Sequence, residues 1–273
     1  MVAHHRALES ARPDALFHDP YAQRLAGGRG EEIARKLPWG RRMAWSTITR
    51  TVLMDEIVLR LVAQGVDTVL NLAAGMDARP YRLALPESLR WVEMDLPAMT
   101  ATKTEFLSGD QPRCRLERVA VDLRDHAARR KALAECASSA KKALIMTEGL
   151  LIYLDEPMVS ELARDLHQQT AIHYWMTDLA SPYLVNRMQK WWGKPMKAAN
   201  AWMSFGPADG TRFFEPMGWR EAEFHELFLS SLRINRPMPF VGILKLQMKL
   251  FPKWSAKNQA KWRSGVVLLE RKH

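Results

Sequence analysis

The chain has 273 residues, with 40 Lys+Arg against 30 Asp+Glu, a formal charge of +10 and a sequence pI near 9.8. At 47% hydrophobic and 26% charged it can bury a substantial core, which excludes disordered, collagen-like and coiled-coil classes. No stretch approaches the roughly 18 to 20 uninterrupted apolar residues of a membrane span, and the start MVAHHRALESARPD lacks the apolar core of a signal peptide.

A soluble, cytoplasmic protein is therefore expected. Cys114 and Cys136 have no His or Cys neighbours at zinc-ligand spacing, so neither a disulfide framework nor a metal is expected. The charge is unevenly placed. Residues 1–226 carry 30 basic and 29 acidic side chains, whereas residues 227–273 carry 10 basic ones and a single acid, Glu270. A nearly neutral body thus precedes a basic end.

Residues 1–42 are polar and punctuated by Pro13, Pro20, Pro38 and a glycine cluster at 27, 28 and 30, which predicts a cap with short helical pieces around Asp14 to Leu25. From Ser46 to Gln64, Ile48, Val52, Ile57, Leu61 and Val62 recur near helical spacing, and Gly65 supplies the stop. Thr68-Val-Leu-Asn-Leu72 then reads as a buried strand. Further strands are predicted at Trp91–Asp95, Leu116–Asp122, Ala143–Thr147 and Ala171–Leu179. Helices at Ala98–Leu107, Asp125–Ala137 and Pro157–Gln169 separate them. This alternation predicts a doubly wound α/β sheet, parallel through these five strands. Residues 181–226 scatter Trp191, Trp192, Trp202, Phe205, Phe213, Phe214 and Trp219 without a clean period. They read either as a satellite aromatic core or as an insertion covering a substrate, and Gly265–Glu270 as a last strand.

In such a sheet ligands bind beyond the carboxyl ends of the strands. The first strand runs into Ala73-Ala74-Gly75-Met76-Asp77, small residues that let a ligand approach the backbone. The second ends at Asp95, about 20 residues on, where a nucleoside-binding sheet places its acceptor for ribose hydroxyls. The loop has neither the G-x-G-x-x-G turn of a dinucleotide site nor a G-x-x-x-x-G-K-[ST] motif. S-adenosylmethionine offers adenosine without phosphate and so needs less glycine. Asp77 would repel a pyrophosphate but tolerate an ammonium or sulfonium. Asp95 also suits the cap of the following helix, and Asp122 that of the next.

Six collinear segments carry a resemblance over about residues 9–166. They are Ser10-Ala-Arg-Pro-Asp-Ala-Leu-Phe-His-Asp-Pro-Tyr21, Arg50-Thr51, Val69-Leu-Asn-Leu-Ala-Ala-Gly-Met-Asp-Ala-Arg-Pro-Tyr-Arg-Leu83, Val92-Glu-Met-Asp-Leu-Pro97, Val121-Asp-Leu-Arg124 and Glu148-Gly-Leu-Leu-Ile-Tyr-Leu154. Together they resemble class I methyltransferases of the leucine carboxyl methyltransferase type, including O-methyltransferases of polyketide biosynthesis.

The resemblance implies a Rossmann-like, mostly parallel seven-stranded sheet with an N-terminal helical cap and a C-terminal insertion. It implies one methyltransferase domain: a cap over 1–42, a cofactor-binding core over 43–180, a substrate-covering and basic helical region over 181–263, and a last strand over 264–273. It also implies that S-adenosyl-L-methionine is the cofactor. Arg50 would pair with its methionine carboxylate, Ala73 and Gly75 would line its amino-acid part, and Asp95 would take the ribose hydroxyls. Asp122 and Leu123 would hold the adenine, and Glu148 would lie near the methionyl part. Many relatives have glycine at the position of Ala73. In carboxyl methylators of this type, positions matching Arg124 and Tyr153 face the acceptor.

Methyl transfer from a sulfonium is an in-line displacement, accelerated mainly by positioning and electrostatics. A carboxylate acceptor is already ionised, whereas a phenol, with a pKa of about 10, gains from a base. No histidine stands beside the cofactor motifs, which favours an acidic small-molecule acceptor positioned by Arg124 and Tyr153.

Lys245, Lys249, Lys253, Lys257 and Lys261 recur at four-residue spacing among apolar residues, a pattern suited to a solvated helix face, an acidic substrate, an anionic lipid surface met through 240–263, or RNA. The expected activity is O-methylation of a carboxylate or hydroxyl on a small acceptor. The alternatives are a tRNA-modifying methyltransferase and a non-catalytic cofactor-binding protein. Without an appended RNA-binding module, nucleic acid is not the expected partner.

Overall fold

The computed structural model describes residues 1–36, 40–198, 201–242, 250 and 263–272. The lysine repeat from 245 to 261 lies outside them. The described elements run α1 (Val2–Ser10), α2 (Ala22–Lys36), α3 (Ala44–Ala63), β1 (Thr68–Leu72), α4 (Arg79–Arg82), β2 (Arg90–Asp95), α5 (Pro97–Phe106), β3 (Arg115–Ala120) and α6 (His126–Ala137). There follow β4 (Ala143–Thr147), α7 (Glu156–Gln168), β5 (Ile172–Ala180), α8 (Pro182–Ala198), β6 (Trp219–Glu226), α9 (Leu227–Arg233) and β7 (Ser264–Arg271), with short 3-10 turns at Gly40–Met43, Leu151–Tyr153 and Gly210–Met217.

The sheet has seven strands in the order β3-β2-β1-β4-β5-β7-β6. Strands β1 to β5 pair in parallel, and β7 is antiparallel to both β5 and β6. The five predicted strands are the parallel five: β1, β2 and β4 are covered on both faces and so mostly apolar at successive positions, whereas β3, at the edge of the sheet, alternates and is only partly covered. Alternation then divides the side chains. Leu70, Leu72, Ile145, Val267 and Leu269 enter one core with α6 and α7 residues such as Leu133, Leu162 and Leu166. Val69, Leu144, Met146, Val266 and Leu268 enter the other with Leu53, Ile57 and Leu61 of α3. β1 lies between β2 and β4, so strand order reverses there and a crevice opens beyond its carboxyl end.

Two regions differ from the sequence-based expectation. The cap helices are Val2–Ser10 and Ala22–Lys36, and not around Asp14 to Leu25. α1 carries little apolar pattern because its buried face is polar: His5, Arg6 and Glu9 are all inside. Arg6 pairs with Asp19, and Glu9 with Arg236, contacts that no local period reveals. The second region is β6, which falls within the stretch assigned to a substrate cover. It is an edge strand, rich in charge and bulged between Glu221 and Glu223, and both features erase alternation while discouraging edge-to-edge pairing.

Packing is what most of the unplaced aromatics do. Trp175 meets Phe214 and Trp219 edge-on at 5.2 and 5.7 Å between ring centroids, and Phe205 and Phe213 extend the cluster. The indoles of Trp175 and Trp219 donate to Thr147 Oγ1 and the Ala163 carbonyl. Trp191 and Trp192 pack elsewhere, with Val185, Met188 and Met203 against Met43 and Ile152. Ser204 and Phe205 donate their backbone N–H groups to the Ile152 carbonyl, which fastens this layer beside the end of β4.

Candidate active site

The loop after β1 is bent by two left-handed residues, Ala73 (φ 53°) and Gly75 (φ 49°). An alanine in that region costs about 1 kcal/mol relative to glycine. The price of alanine at position 73 is thus conformational, beyond any crowding by its methyl group. A Cβ built on Gly75 would meet nothing nearer than the Ala73 carbonyl oxygen at 3.9 Å, so the space before it is open to a ligand.

Asp95 ends β2 and faces this loop. Its Oδ2 accepts from the Gly75 N–H at 2.6 Å and its Oδ1 from Leu96 N–H at 2.8 Å. It does not cap α5, whose N-cap position is Leu96, without a side-chain cap. Asp122 likewise does not cap α6; Asp125 does, accepting from Ala127 and Ala128. Asp122 instead holds Arg124 at 2.7 Å, and this pairing pulls its carboxyl down to about 2. Leu123 packs against the core, and its carbonyl accepts from Arg129, itself locked to Asp165. The two carboxylates and Leu123 therefore lie beyond adjacent strand ends, β2 and β3.

At the other side of the crevice, the ends of β4 and β5 carry Glu148 and Asp178. Arg50 of α3 reaches both, with Nε 3.0 Å from Glu148 and Nη1 3.0 Å from Asp178. No hydrogen bond from its Nη2 occurs among the described residues. Asp178 also accepts from the N–H of Gly149, a left-handed residue (φ 65°) that turns the chain past Arg50. Burial works against the charge on Glu148, but Arg79 and Arg50 outweigh it and hold the carboxyl at about 2. Desolvation also opposes the charge on Arg50, and Asp178 and Glu148 overcome it, so this guanidinium never loses its proton.

Tyr153 is 41% exposed, within electrostatic reach of Arg50 and Asp178. Partial burial pushes its phenol up, which keeps it a proton donor at neutral pH. Arg124 is not brought to it: three strand positions separate β3 from β4, and Asp122 occupies the Arg124 guanidinium.

Beneath these groups lies a set, partly within the motifs, that spacing does not single out. Arg79, 2% exposed, bonds Asp55 of α3, Asp77 of the loop and Glu148 at 2.7, 2.8 and 2.7 Å. Arg82 closes on Asp55 at 2.6 Å. Asp77 is therefore turned inward, toward Arg79 and Asn71, and does not face a ligand as its loop position suggested. A visible sequence signal was the carboxylate pair Asp55 and Glu56 inside the apolar run Leu53, Met54, Ile57, Val58, of which Asp55 is the buried one. Together Arg50, Arg79 and Arg82 face Asp55, Asp77, Glu148 and Asp178, three cations against four anions. The excess of one negative charge fits S-adenosylmethionine, whose ammonium and sulfonium outnumber its carboxylate. Open space before Gly75 and the spare Nη2 of Arg50 fit it too.

Comparison with known proteins agrees. Residues 1–167 match the profile of the family Leucine carboxyl methyltransferase. A candidate S-adenosyl-L-methionine-dependent methyltransferase of Streptomyces coelicolor is 37% identical over 252 residues, covering 87% of each chain, and one of Streptomyces avermitilis is 35% identical over 253 residues with the same coverage. The fold resembles a DUF574 family protein from Streptomyces avermitilis, with TM-score 0.62, 16% identity and coverage of 100% of this chain and 97% of that one. A structure from Thermobifida fusca described as a candidate methyltransferase gives TM-score 0.60 at 15% identity, with 100% and 95% covered.

An Asp95→Ala variant is expected to bind S-adenosylhomocysteine about tenfold more weakly by calorimetry, the cost of one charge-assisted hydrogen bond. Affinity equal to wild type would remove Asp95 from the site.

Proposed function

We propose that this chain, which belongs to the leucine carboxyl methyltransferase family and is an S-adenosylmethionine-dependent methyltransferase, methylates an oxygen of a small organic acid. S-adenosylmethionine supplies, when bound, a methyl group made electrophilic by its sulfonium. The protein's own part is to bind and to orient. Arg50 would hold the cofactor carboxylate through Nη2, Ala73 and Gly75 would flank the amino-acid end, Asp95 would accept from the ribose hydroxyls, and Asp122 with Leu123 would bound the adenine.

The observation that carries the choice of acceptor is that no free base stands at the ends of β4 and β5 among the described residues. Among the described residues at the ends of β4 and β5, Glu148 is held by two arginines, Asp178 by Arg50 and Gly149, and Tyr153 keeps its proton. His5, near enough to Arg50 to feel its charge, is fully buried and cannot meet an acceptor; burial also lowers its pKa to about 4. The lack of a free base among these described residues suits a nucleophile that arrives ionised, and a carboxylate does so at any pH above about 5. Tyr153 would donate to that oxygen. A hydroxyl acidic enough to ionise near neutrality meets the same condition.

Incubation with methyl-labelled S-adenosylmethionine and matched panels of small carboxylic acids, phenols and bulk tRNA tests this reading. The expected product is a methyl ester that releases methanol in mild base, formed at a rate level between pH 6 and 8. Label confined to tRNA, or to phenols with a rate still rising toward pH 9, would contradict it.

A further inference from the structure

Glu148 is held from two sides, and the two sides differ. Arg50 comes from the crevice, where its side chain is 17% exposed, and meets Oε1. Arg79 comes from the interior and meets Oε2 at 2.7 Å through Nη1. That same Nη1 bonds Asp77, and Nε bonds Asp55, so one planar guanidinium ties the loop after β1, helix α3 and the end of β4 to a single point. The backbone N–H of Arg79 donates to Asp77 Oδ1 as well, which closes the loop on itself. These are the three segments that converge on the cofactor's amino-acid end, and Arg79 has no path of its own to a ligand.

We propose that Arg79 is a positioning residue for the cofactor: it fixes the orientation and the charge of the Glu148 carboxylate, and through Asp77 the bend of the Ala73–Gly75 loop, in the arrangement that receives the amino-acid end of S-adenosylmethionine. The proposal rests on the reading that Glu148 and Arg50 lie at that end. A planar fork matters here, since an ammonium is a point charge that cannot span three carboxylates in fixed directions. Arg79 also supplies the stronger of the two attractions that keep Glu148 ionised against its burial.

The groups facing Glu148 and its partners are Arg50 and Asp55 of α3, Asp77 before α4, Arg79 and Arg82 of α4, Asp178 of β5, Tyr153, and His5 of α1 through its effect on Arg50. Of these, His5 titrates below pH 5 and the phenol above neutrality. The window from pH 7 to pH 5 is therefore open to report on Glu148 once Arg79 no longer holds it.

The test is the affinity for S-adenosylhomocysteine between pH 7 and pH 5, by calorimetry, with thermal melts to confirm folding. Wild type should be level across that range. Arg79→Lys should bind about tenfold more weakly at pH 7. Arg79→Gln should bind weaker still and lose about another tenfold by pH 5, as Glu148 takes up a proton. Folded Arg79 variants with wild-type affinity and a level profile would overturn the proposal. If Arg79→Gln does not fold, Arg79→Lys at wild-type affinity, or a wild-type affinity that falls between pH 7 and pH 5, overturns it alone. Glu148→Gln separates the two layers. Unchanged binding in that variant contradicts the placement of Glu148 at the cofactor, whereas weakened binding there with unchanged binding in the Arg79 variants contradicts only the role of Arg79.

Discussion

Replacing Arg50 by methionine is expected to lower the affinity for S-adenosylhomocysteine by about a hundredfold or more, the largest loss from any one side chain of the crevice. Two effects add. The variant forfeits a charge-assisted pair with the cofactor carboxylate, about 1.5–3 kcal/mol. It also leaves Asp178 without its cation and Glu148 with Arg79 alone, so two carboxylates repel each other where the ligand must enter. Arg50→Lys keeps the charge but cannot reach Glu148, Asp178 and a third anion from one planar group, and should fall between methionine and wild type. Calorimetry with S-adenosylhomocysteine, beside a thermal melt, measures both. Affinity unchanged in Arg50→Met would show that Arg50 serves only to join α3 to β4 and β5.

The contrast between Arg50 and Arg79 shows what could be read before the fold was known. Strands buried on both faces declare themselves as apolar runs, so β1, β2, β4 and β5 are legible to within a residue at most ends. Residues at the tips of the parallel strands follow from topology alone, which is why Asp95, Asp122 and Glu148, beyond β2, β3 and β4, stand out in the sequence. Arg79 stands in the segment Val69–Leu83 with Ala73 and Gly75, yet two of its three partners lie 24 and 69 positions away, at Asp55 and Glu148. Local periodicity carries no information on such pairs. Asp178 is hidden for a related reason, being the one acidic residue of a strand that also carries His173 and Thr177, and it is explained only when Gly149 and Arg50 arrive from other segments. β6 and α1 escape for the opposite reason, because their stability comes from an edge pairing and from buried ion pairs, neither of which leaves an amphipathic trace.

A protein that buries so many paired carboxylates should lose stability steeply in acid, and the sign follows from the direction of the shifts. Glu148 has a folded pKa of about 2 against an ordinary 4.5, and Asp77, despite its burial, is held below its ordinary 3.8 by Arg79. A depressed carboxylate stabilises the fold fully above its unfolded pKa, and the contribution is lost as pH falls through the folded one. Wild type should therefore be level from about pH 7 to pH 5 in this contribution and decline between roughly pH 4.5 and pH 2. The displacement of Glu148 alone corresponds to about 3 kcal/mol, on the order of a hundredfold in the folding equilibrium. Other carboxylates add to any acid transition, so the informative quantity is a difference. Glu148→Gln removes the titrating group and costs Arg50 and Arg79 one buried ion pair each, so it should be less stable than wild type at pH 7, while its further loss between pH 5 and pH 3 should be smaller. Urea denaturation followed by circular dichroism at pH 7, 5, 4 and 3 gives both curves. Parallel curves would mean that Glu148 is not held as a carboxylate by these two arginines, and the charge balance on which the cofactor site is built would fail with it.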